Sequence, residues 1–330
     1  MVTSKDVAKL AGVSHTTVSR AFRGDSLIKE NTYNKIMQAA KELHYTPNSI
    51  AANLRQQKSK TVGIIISQIF IPLFLDITRL LEMELQKHGY RLLVSFDDGD
   101  LTRQHNAIRT MASAQVESII FIPSSYSDSE KSTTIAWMKA LNIHFVQLVF
   151  SPFKELSSFS FDDIYGTYIG TKYLLEHGHR QILMVGSYGR EEGYYQAYRE
   201  LGIESPFPVL NLDDKASADN FKIIKEAILK YRPTAVFSIC DHLNITAYGV
   251  LNELNLRITN DLSFLAYDDA YWLQVLNISA IGHPVLAVAK AITQQILEGA
   301  ENNESKQIPI TTIFKPFLIE RSSVTDIECK

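Results

Sequence analysis

The stretch "SKDVAKLAGVSHTTVSRAF" at residues 4–22 holds two short helix patterns with a single glycine between them. Gly12 can adopt a turn conformation at little cost, and a serine at the start of a helix accepts a hydrogen bond from the backbone. We predict a first helix that Ser4 caps and a second helix that runs from Ser14 through Phe22. Two short helices joined by such a turn form a helix-turn-helix unit.

The other residues of this stretch separate into an inner and an outer face. Ala8 is small enough for the point where the helices cross, and larger apolar residues can form the seam beside it: Val7, Leu10, Val13 and Val18. The polar residues of the second helix then face outward: His15, Thr16, Thr17, Ser19 and Arg20. An ordinary surface helix with a capping serine could carry the same residue types.

The part of the chain that contains this stretch is basic, whereas the remainder is acidic. Residues 1–60 hold ten lysines and arginines against four acidic residues, which leaves 23 basic and 32 acidic residues for the rest. A basic head on an acidic body is typical of a protein whose head alone binds a polyanion. The charge distribution therefore favours a DNA-binding head, whose second helix would enter the major groove, over an ordinary surface helix.

Residues 1–45 show no strand pattern, and a third helix is predicted at about 31–43. Its apolar residues recur at helical spacing: Ile36, Ala39, Ala40 and Leu43. The polar and basic segment that follows, 46–60, is interpreted as a linker with one short latent helix.

From residue 61 onward, short apolar runs alternate with segments of helix length. The first series starts at intervals that suit a strand plus a crossover helix: 61–66, 90–96, 117–123 and 144–150. A second series follows: 181–187, 208–212, 234–240 and 262–269. We predict an α/β body of two doubly wound parallel-sheet subdomains, with a ligand cleft where the carboxyl ends of the strands converge.

Several classes of function lack support in the sequence. Cys240 and Cys329 lie far apart without metal-ligand spacing, so we expect no disulfide framework, no metal site and no cofactor. The N-terminus has no hydrophobic signal core and the apolar runs are too short to span a bilayer, so we expect a cytoplasmic protein without a membrane partner. No phosphate-binding loop, GxGxxG after the first strand or GxSxG elbow occurs, which argues against an enzyme. A secreted solute-binding protein would share the body but not the basic head.

The motifs of the whole chain are similar to those of the LacI/GalR family of bacterial transcription regulators. The head "SKDVAKLAGVSHTTVSRAF" and the later "KELHYTPNSIAANLRQQKSKTVGIII" resemble its DNA-binding part, and "EHGHRQILMVG", "AYDD" and "FLIERSSV" resemble its body. The resemblance implies a helix-turn-helix head at 1–45, a hinge helix and linker at 46–60, and a periplasmic-binding-protein-like domain for effector binding and dimerisation at 61–330. Its N-subdomain is expected at about 61–158 and 282–307, and its C-subdomain at about 159–281 and 308–330.

The resemblance implies a homodimeric repressor of pseudo-palindromic operator DNA. A small molecule, in this family commonly a sugar or sugar derivative, would bind between the subdomains and control operator affinity. Several positions depart from the family pattern: Val149, Cys240, the stretch "NISAIGHP" at 277–284, and Ala289. These departures keep an alternative open, namely a DNA-binding regulator or architectural protein with a degenerate cleft and no small-molecule effector.

Matching positions imply the residues that contact DNA. His15 and Thr16 are expected against base edges, with Arg20 farther along the same helix on a base or phosphate, since arginine suits bidentate contact with guanine. The other head residues expected at the DNA are hydroxyl side chains: Ser4, Ser14, Thr17 and Ser19.

The linker is expected to contact the DNA as well. Leu54 matches the leucine that inserts into the minor groove in this family, and a side chain wedged between base pairs kinks the duplex. Asn48 and Arg55 are its expected neighbours in that contact. We expect residues 46–60 to be cleaved by proteases in the free protein and protected on operator.

Matching by motif also implies the residues that line the effector cleft, all at the ends of strands: Phe74, Ser124, Phe150, Arg190, Asp241 and Asp268. Arg190 and Asp268 are expected to act as a pair, because a guanidinium and a carboxylate can bind hydroxyls or a ligand carboxylate while aromatic rings stack on its apolar face. The alternative is a salt bridge between arginine and aspartate, with the aromatic residues in the core.

Overall fold

The computed structural model describes residues 2–22, 27–45, 59–68, 71–204, 207–212, 218–301 and 308–327. The chain forms two compact units, Met1–Ser59 and Lys60–Lys330, and the division falls at the end of the predicted linker.

In its described part, the first unit consists of helices α1 (Ser4–Ala11), α2 (His15–Ala21) and α3 (Glu30–Glu42). Their buried side chains form one small core: Val7, Ala8, Val18, Ala21, Ile36, Ala39 and Ala40. Gly12 ends α1 in the left-handed conformation with φ 66°, which a residue without Cβ adopts freely. The turn between the first two helices therefore forms where the glycine predicted it.

The start of α2 confirms one predicted cap, whereas the start of α1 contradicts another. The Thr17 backbone N–H donates to Ser14 Oγ at 3.1 Å. For α1 the prediction of Ser4 as the cap is wrong, because Ser4 is already helical and Thr3 occupies the cap position. The Thr3 backbone N–H and hydroxyl both donate to Asp6 Oδ2, at 2.8 and 2.7 Å, so the third residue of the helix holds the capping residue as in a capping box.

Leu10 was predicted in the seam, but it is 47% exposed. Helix α1 directs Val7, Ala8 and Ala11 toward the other helices. Each residue advances the helix by about 100°, so Leu10 falls to one side of that face.

The second unit contains two sheets. The first comprises β1 (Thr61–Ile66), β2 (Arg91–Phe96), β3 (Ser118–Phe121), β4 (His144–Leu148), β5 (Ser157–Phe161) and β10 (Thr311–Phe314). Its strand order is β10-β5-β4-β3-β1-β2, and all of these pairs are parallel. The helices between its strands, or returning to it, are α4 (Pro72–Lys87), α5 (Leu101–Ser113), α6 (Asp128–Ala140) and α12 (Val285–Glu301).

The second sheet comprises β6 (Ile182–Val185), β7 (Ala235–Ser238), β8 (Ser263–Tyr267), β9 (Ser279–Gly282) and β11 (Phe317–Ile319). Its order is β11-β9-β8-β7-β6, with β11 antiparallel to β9. The helices associated with it are α7 (Asp163–Glu176), α8 (Glu191–Glu200), α9 (Ala218–Tyr231), α10 (Asp241–Glu253) and α11 (Tyr271–Val275). The run at 208–212, predicted as a strand, forms a single bridge from Leu210 to Val185.

In the described chain the backbone passes between the sheets after β5, after β9 and after β10. The predicted subdomain boundaries at 158 and 308 are therefore misplaced. Strand β10 pairs in parallel with β5, Thr311 opposite Ser158 and Phe314 opposite Phe161. This pairing extends the first subdomain to about residue 161 and adds 311–314 to it.

Two histidines of the second unit are held as neutral groups. Burial lowers the pKa of His144 to about 4, and burial likewise lowers the pKa of His179 to about 4. Both ring nitrogens of His179 have partners, Thr234 Oγ1 and the Thr325 carbonyl oxygen, each at 3.1 Å.

The unit is expected to lose stability as the pH falls from about 6.5 toward 4. Within that window the unfolded chain takes up protons at the ordinary histidine pKa of about 6.5, while the folded protein resists them, and each such histidine removes about 1.4 kcal/mol per pH unit. His179→Gln should be less stable than the wild type at pH 8 but should lose less on acidification. Urea unfolding between pH 5 and 8 measures this, and parallel pH profiles for the two proteins would contradict it.

Candidate functional site

Helix α2 presents a polar face that its own unit does not bury. His15, Thr16 and Arg20 are exposed, whereas Val18 and Ala21 are buried in the core of the head. Thr17 and Ser19 are partly buried at the edges of the exposed face. His15 and Thr16 are adjacent, and Arg20 follows them by five and four positions. The three residues therefore share one side of the helix.

Hydroxyl groups fix the beginning of this face. Ser14 Oγ lies 2.6 Å from Thr16 Oγ1 and 2.8 Å from Thr17 Oγ1, in addition to accepting the Thr17 backbone N–H. These contacts limit the rotamers of both threonines beside His15. The predicted linker contacts Asn48, Leu54 and Arg55 lie outside the described residues.

In the second unit, Arg190 is the centre of a network at the point where the chain leaves β5. Its Nη2 donates to Asp163 Oδ2 at 3.1 Å and its Nη1 to the Ile239 carbonyl oxygen at 2.7 Å. The guanidinium also lies 4.4 Å from the ring centroid of Tyr267, and the Tyr267 hydroxyl donates to Asp163 Oδ1 at 2.9 Å. Burial alone would lower the pKa of Arg190, but the carboxylate of Asp163 and the other acidic groups around it raise that pKa above its ordinary value. The arginine is therefore a fixed cation.

Asp268 is paired with a residue other than Arg190. His283 Nε2 lies 2.8 Å from Asp268 Oδ1, whereas Arg190 forms its ion pair with Asp163. The alternative of a direct salt bridge between Arg190 and Asp268 is thus wrong, because each side chain is paired with another residue. Their joint contact with a ligand stays a prediction. Asp268 also adopts a left-handed backbone with φ 68°, which few residues other than glycine do without support from their surroundings.

Asp241 lies at the start of α10 after the end of β7. Its Oδ1 accepts a hydrogen bond from the indole of Trp272 at 3.0 Å. Burial raises the pKa of this carboxyl group, and the nearby charge of Asp268 raises it further, although the indole lowers it. The neighbouring carboxylates of Asp241 and Asp268 can together accept hydrogen bonds from a ligand that carries adjacent donors.

The remaining predicted cleft residues belong to the side of the first sheet. Phe74 is buried in the core of that sheet, which leaves little of its ring for a ligand. Ser124 Oγ is buried and has no hydrogen-bond partner among the described residues. Phe150 is 59% exposed.

A strained turn presents Phe150. Val149 has φ 68°, a conformation that a β-branched residue rarely adopts. The Phe150 backbone N–H donates to the Leu148 carbonyl oxygen at 2.8 Å, which closes a tight turn around Val149. The departure from the family pattern at Val149 therefore coincides with backbone strain next to a predicted ligand contact.

Three residues of this region were not predicted from the sequence as part of the site: Asp163, Tyr267 and His283. Asp163 and His283 follow strands β5 and β9, and neither strand was predicted. Tyr267 was read only as part of a strand, yet it approaches α7 so closely that a Cβ on Gly166 would lie 2.1 Å from its hydroxyl oxygen. Polar residues directly after "SSFSF" and "SAIG" are the signal that could have identified the first two.

Two further properties of the described residues bear on function. They contain no group of three or more histidine, cysteine, aspartate or glutamate side chains arranged to hold a metal ion. In the part of the chain that the structure covers, every helix is too short or too polar to cross a membrane.

Comparison with known families and proteins gives similarity along nearly the whole chain. Residues 3–48 match the lacI family of bacterial regulatory proteins, and residues 171–324 match the periplasmic binding protein-like domain. The chain is 29% identical to the HTH-type transcriptional repressor PurR of Klebsiella pneumoniae subsp. pneumoniae, over 99% of this chain and 98% of that protein. It is 27% identical to the ribose operon repressor of Haemophilus influenzae, over 99% of this chain and all of that repressor.

A solved structure of the Lac repressor bound to ONPG in the repressed state is similar in fold. The TM-score is 0.80 at 22% identity, and the match covers 98% of this chain and 99% of that one. These similarities confirm the predicted fold class, a helix-turn-helix head followed by a periplasmic-binding-protein-like body.

Proposed function

Because the chain belongs to the lacI family of bacterial regulatory proteins, we infer that it is a DNA-binding transcriptional repressor, not an enzyme, whose operator affinity a small molecule controls. The observation that carries this inference is the exposed polar face of α2, held from behind by the buried side chains of Val18 and Ala21. A regulator of this kind acts on chromosomal DNA, so we place it in the cytoplasm.

In the proposed contact with DNA, α2 lies in the major groove. His15 and Thr16 meet base edges, and Arg20 binds a guanine or a phosphate. The hydroxyl residues of the head position the phosphate backbone: Ser4, Ser14, Thr17 and Ser19. Leu54, with Asn48 and Arg55 beside it, is proposed to open the minor groove at the centre of the operator.

The proposed effector is a small hydroxylated molecule, most consistent with a sugar or sugar derivative. The carboxylates of Asp241 and Asp268 can accept hydrogen bonds from hydroxyls, and Phe150 offers an exposed ring that could stack on an apolar sugar face. The similarity to a ribose operon repressor supports a carbohydrate. Arg190 would donate through Nε, which is buried and has no partner among the described residues.

One observation favours the alternative of a regulator without an effector. The charged groups of Arg190 and Asp268 are already paired with Asp163 and His283. A ligand that needed these charges would have to displace existing contacts, whereas a ligand that only adds hydrogen bonds to them would not. Ligand-dependent operator affinity separates the two functions.

A homodimer is proposed from exposed apolar side chains on the second unit. Strand β2 is an edge strand of its sheet and carries exposed Leu93 and Val94. In and directly after helix α11, Tyr271, Val275 and Leu276 are also exposed. Surface residues of this size are typical of a protein interface when they occur together.

Val94→Asp combined with Val275→Asp is expected to convert the dimer to a monomer, because a carboxylate buried in an apolar interface has no partner. Operator affinity should fall when the dimer is lost, since each head would then bind its half-site alone. Sedimentation velocity measures the change, with Leu201→Asp, another exposed apolar position, as the matched control. A dimer that persists in the double variant would contradict this interface.

The DNA-binding function is tested by selecting sites from random-sequence DNA with the full-length chain. We expect enrichment of a pseudo-palindrome, bound with an affinity that falls steeply with salt because phosphate contacts release counterions. No enrichment, or a flat salt response, would overturn the proposal.

A further inference from the structure

Helix α11 is exposed along one side and attached to the core of its sheet along another. Tyr271 and Val275 lie four positions apart, so both fall on the same side of the helix, and both are exposed. Trp272 is one position, or about 100°, farther around the helix. Its half-buried ring packs against the core of the second sheet, and its ring centroid lies 5.8 Å from that of Tyr248. A side chain that anchors the helix is therefore next to the side chains proposed to contact a second copy of the chain.

The indole of Trp272 connects this helix to Asp241 at the start of α10. Its Nε1–H, the hydrogen-bond donor of the side chain, donates to Asp241 Oδ1 at 3.0 Å. Asp241 follows β7 and belongs to the proposed effector site. This hydrogen bond thus joins a proposed ligand contact to the helix that carries the exposed apolar residues.

The two ends of α11 are attached to one guanidinium. Arg321 Nη1 and Nη2 donate to Asp269 Oδ1 and Oδ2, both at 2.8 Å, just before the helix. Arg321 Nη1 also donates to the Ile278 carbonyl oxygen at 2.6 Å, beyond the end of the helix. A bidentate pair of this kind is geometrically specific, so both ends of the segment are fixed. A shift of Trp272 must therefore be taken up by the helix between them.

The hydrogen bond from Trp272 depends on the charge of Asp241. Hydrogen bonds to an ionised acceptor are stronger than those between neutral groups. Burial raises the pKa of Asp241, whereas the bond from the indole lowers it, so the indole helps to keep this carboxylate charged. A ligand hydroxyl that donates to the same carboxylate shares that charge with the indole. We therefore expect ligand binding at Asp241 to weaken the bond from Trp272.

We propose that the hydrogen bond between Trp272 and Asp241 couples the effector site to the subunit interface, so that a ligand on Asp241 weakens the contact of α11 with a second copy of the chain. Trp272 is a positioning residue in this role: it holds Tyr271 and Val275 in place, and a helix held in place loses less conformational freedom on association. The inference rests on the proposed effector site and the proposed dimer and adds a connection between them. By linkage, dimer formation should weaken ligand binding by the same factor.

The coupling is tested first without a ligand, by sedimentation of the full-length protein over a range of concentrations. Trp272→Phe removes the indole N–H and keeps an aromatic ring beside Tyr248, whereas Asp241→Asn keeps an acceptor and removes the charge. Each variant is expected to raise the dimer dissociation constant, Trp272→Phe by at least about threefold, which lies within the range of coupling between residues in contact. The double variant should lie within about twofold of Trp272→Phe alone, because both substitutions act on one bond.

Trp137→Phe is the matched control, because it makes the same substitution at the other tryptophan of the chain, in α6 beside the first sheet. It should leave the dimer dissociation constant unchanged. A Trp272→Phe dimer as tight as that of the wild type would overturn the proposal. A double variant whose effect is the product of the two single effects would overturn it as well.

The second test adds D-ribose or D-glucose, whichever calorimetry shows to bind the wild type, at a saturating concentration. Because a ligand can at most remove the bond, the sugar should raise the wild-type dimer dissociation constant by at least about twofold and by no more than Trp272→Phe does. The same sugar should leave the dissociation constant of the Trp272→Phe dimer unchanged, while Trp272→Phe binds it with an affinity within about threefold of the wild type. Equal effects of the sugar on both dimers would overturn the coupling and leave the proposed control by a sugar standing.

The remaining outcomes separate the coupling from the functions on which it rests. If the wild type is a monomer up to the highest concentration measured, the proposed dimer is overturned and the coupling with it. If neither sugar binds the wild type, the proposed sugar control is overturned, whereas the double-variant comparison still supports or overturns the role of the bond at the interface. If Trp272→Phe does not fold, Asp241→Asn decides, because a raised dissociation constant supports the proposal and an unchanged one overturns it.

Discussion

Arg20→Ala is expected to weaken specific operator binding by about 10- to 100-fold, because a bidentate contact between arginine and guanine contributes about 1–3 kcal/mol of discrimination. Affinity for non-specific DNA should fall much less, since one phosphate contact among several is lost there. Fluorescence anisotropy with a selected site and with a scrambled duplex at the same salt concentration measures both changes.

The matched control for this variant is Lys41→Ala, which removes one exposed positive charge from α3 instead of α2. We expect it to change specific affinity by less than about threefold. Equal losses in the two variants would mean that the head contributes only charge and that α2 does not read the sequence. Arg20→Lys refines the test, because lysine keeps the charge and loses the bidentate geometry.

Arg190→Ala is expected to lower the free energy of unfolding of the second unit by about 3 kcal/mol. It removes the partner of a largely buried carboxylate on Asp163 and the donor to the Ile239 carbonyl oxygen. Removing one member of a buried ion pair costs about 3–5 kcal/mol, because the remaining charge stays desolvated. The side chains of Arg190 and Asp163 are 15% and 26% exposed, which favours the lower end of that range.

Urea unfolding measures this loss, with Arg199→Ala as its control. Arg199 pairs with Glu192 at 2.5 Å on the surface, both side chains being 59% exposed. A surface pair of this kind contributes about 1 kcal/mol or less. If the two variants lose the same stability, the network around Arg190 has no structural role in the unit.

Local patterns predicted the head accurately. The glycine at Gly12, the cap at Ser14 and the helical spacing of the apolar residues are properties of adjacent residues, so one sequence sufficed to place α1, α2 and α3. The capping residue of α1 and the exposure of Leu10 were predicted wrongly. The helix is capped one residue earlier than predicted, and its buried face lies to one side of Leu10.

The sequence predicted the two sheets of the body but not the points where the chain crosses between them. Strands buried on both faces form long apolar runs, and the runs at β1, β3, β4 and β7 were recognised. Strands β5, β9, β10 and β11 are three to five residues long. Serines and threonines also interrupt β5, β9 and β10, so no apolar run marks them. Without these strands the crossings could not be placed, and the residues that follow β5 and β9 were overlooked.

The partners of charged residues could not be read from the sequence at all. Asp163 and Arg190 are 27 positions apart, and His283 follows Asp268 by 15 positions through a helix and a strand. Which carboxylate lies nearest to which cation depends on how the two sheets meet. The sequence indicated polar residue types at strand ends but did not show that Arg190 pairs with Asp163 and Asp268 with His283.

The most direct test of the account is the operator affinity of the full-length protein with and without a small molecule that binds it. A selected pseudo-palindromic duplex should be titrated by anisotropy in the absence and in the saturating presence of a sugar that stabilises the protein against heat. We predict a change in operator affinity of at least about fivefold, the lower range of allosteric coupling. An operator affinity that is identical with and without the bound sugar would contradict the central claim that the body controls the head.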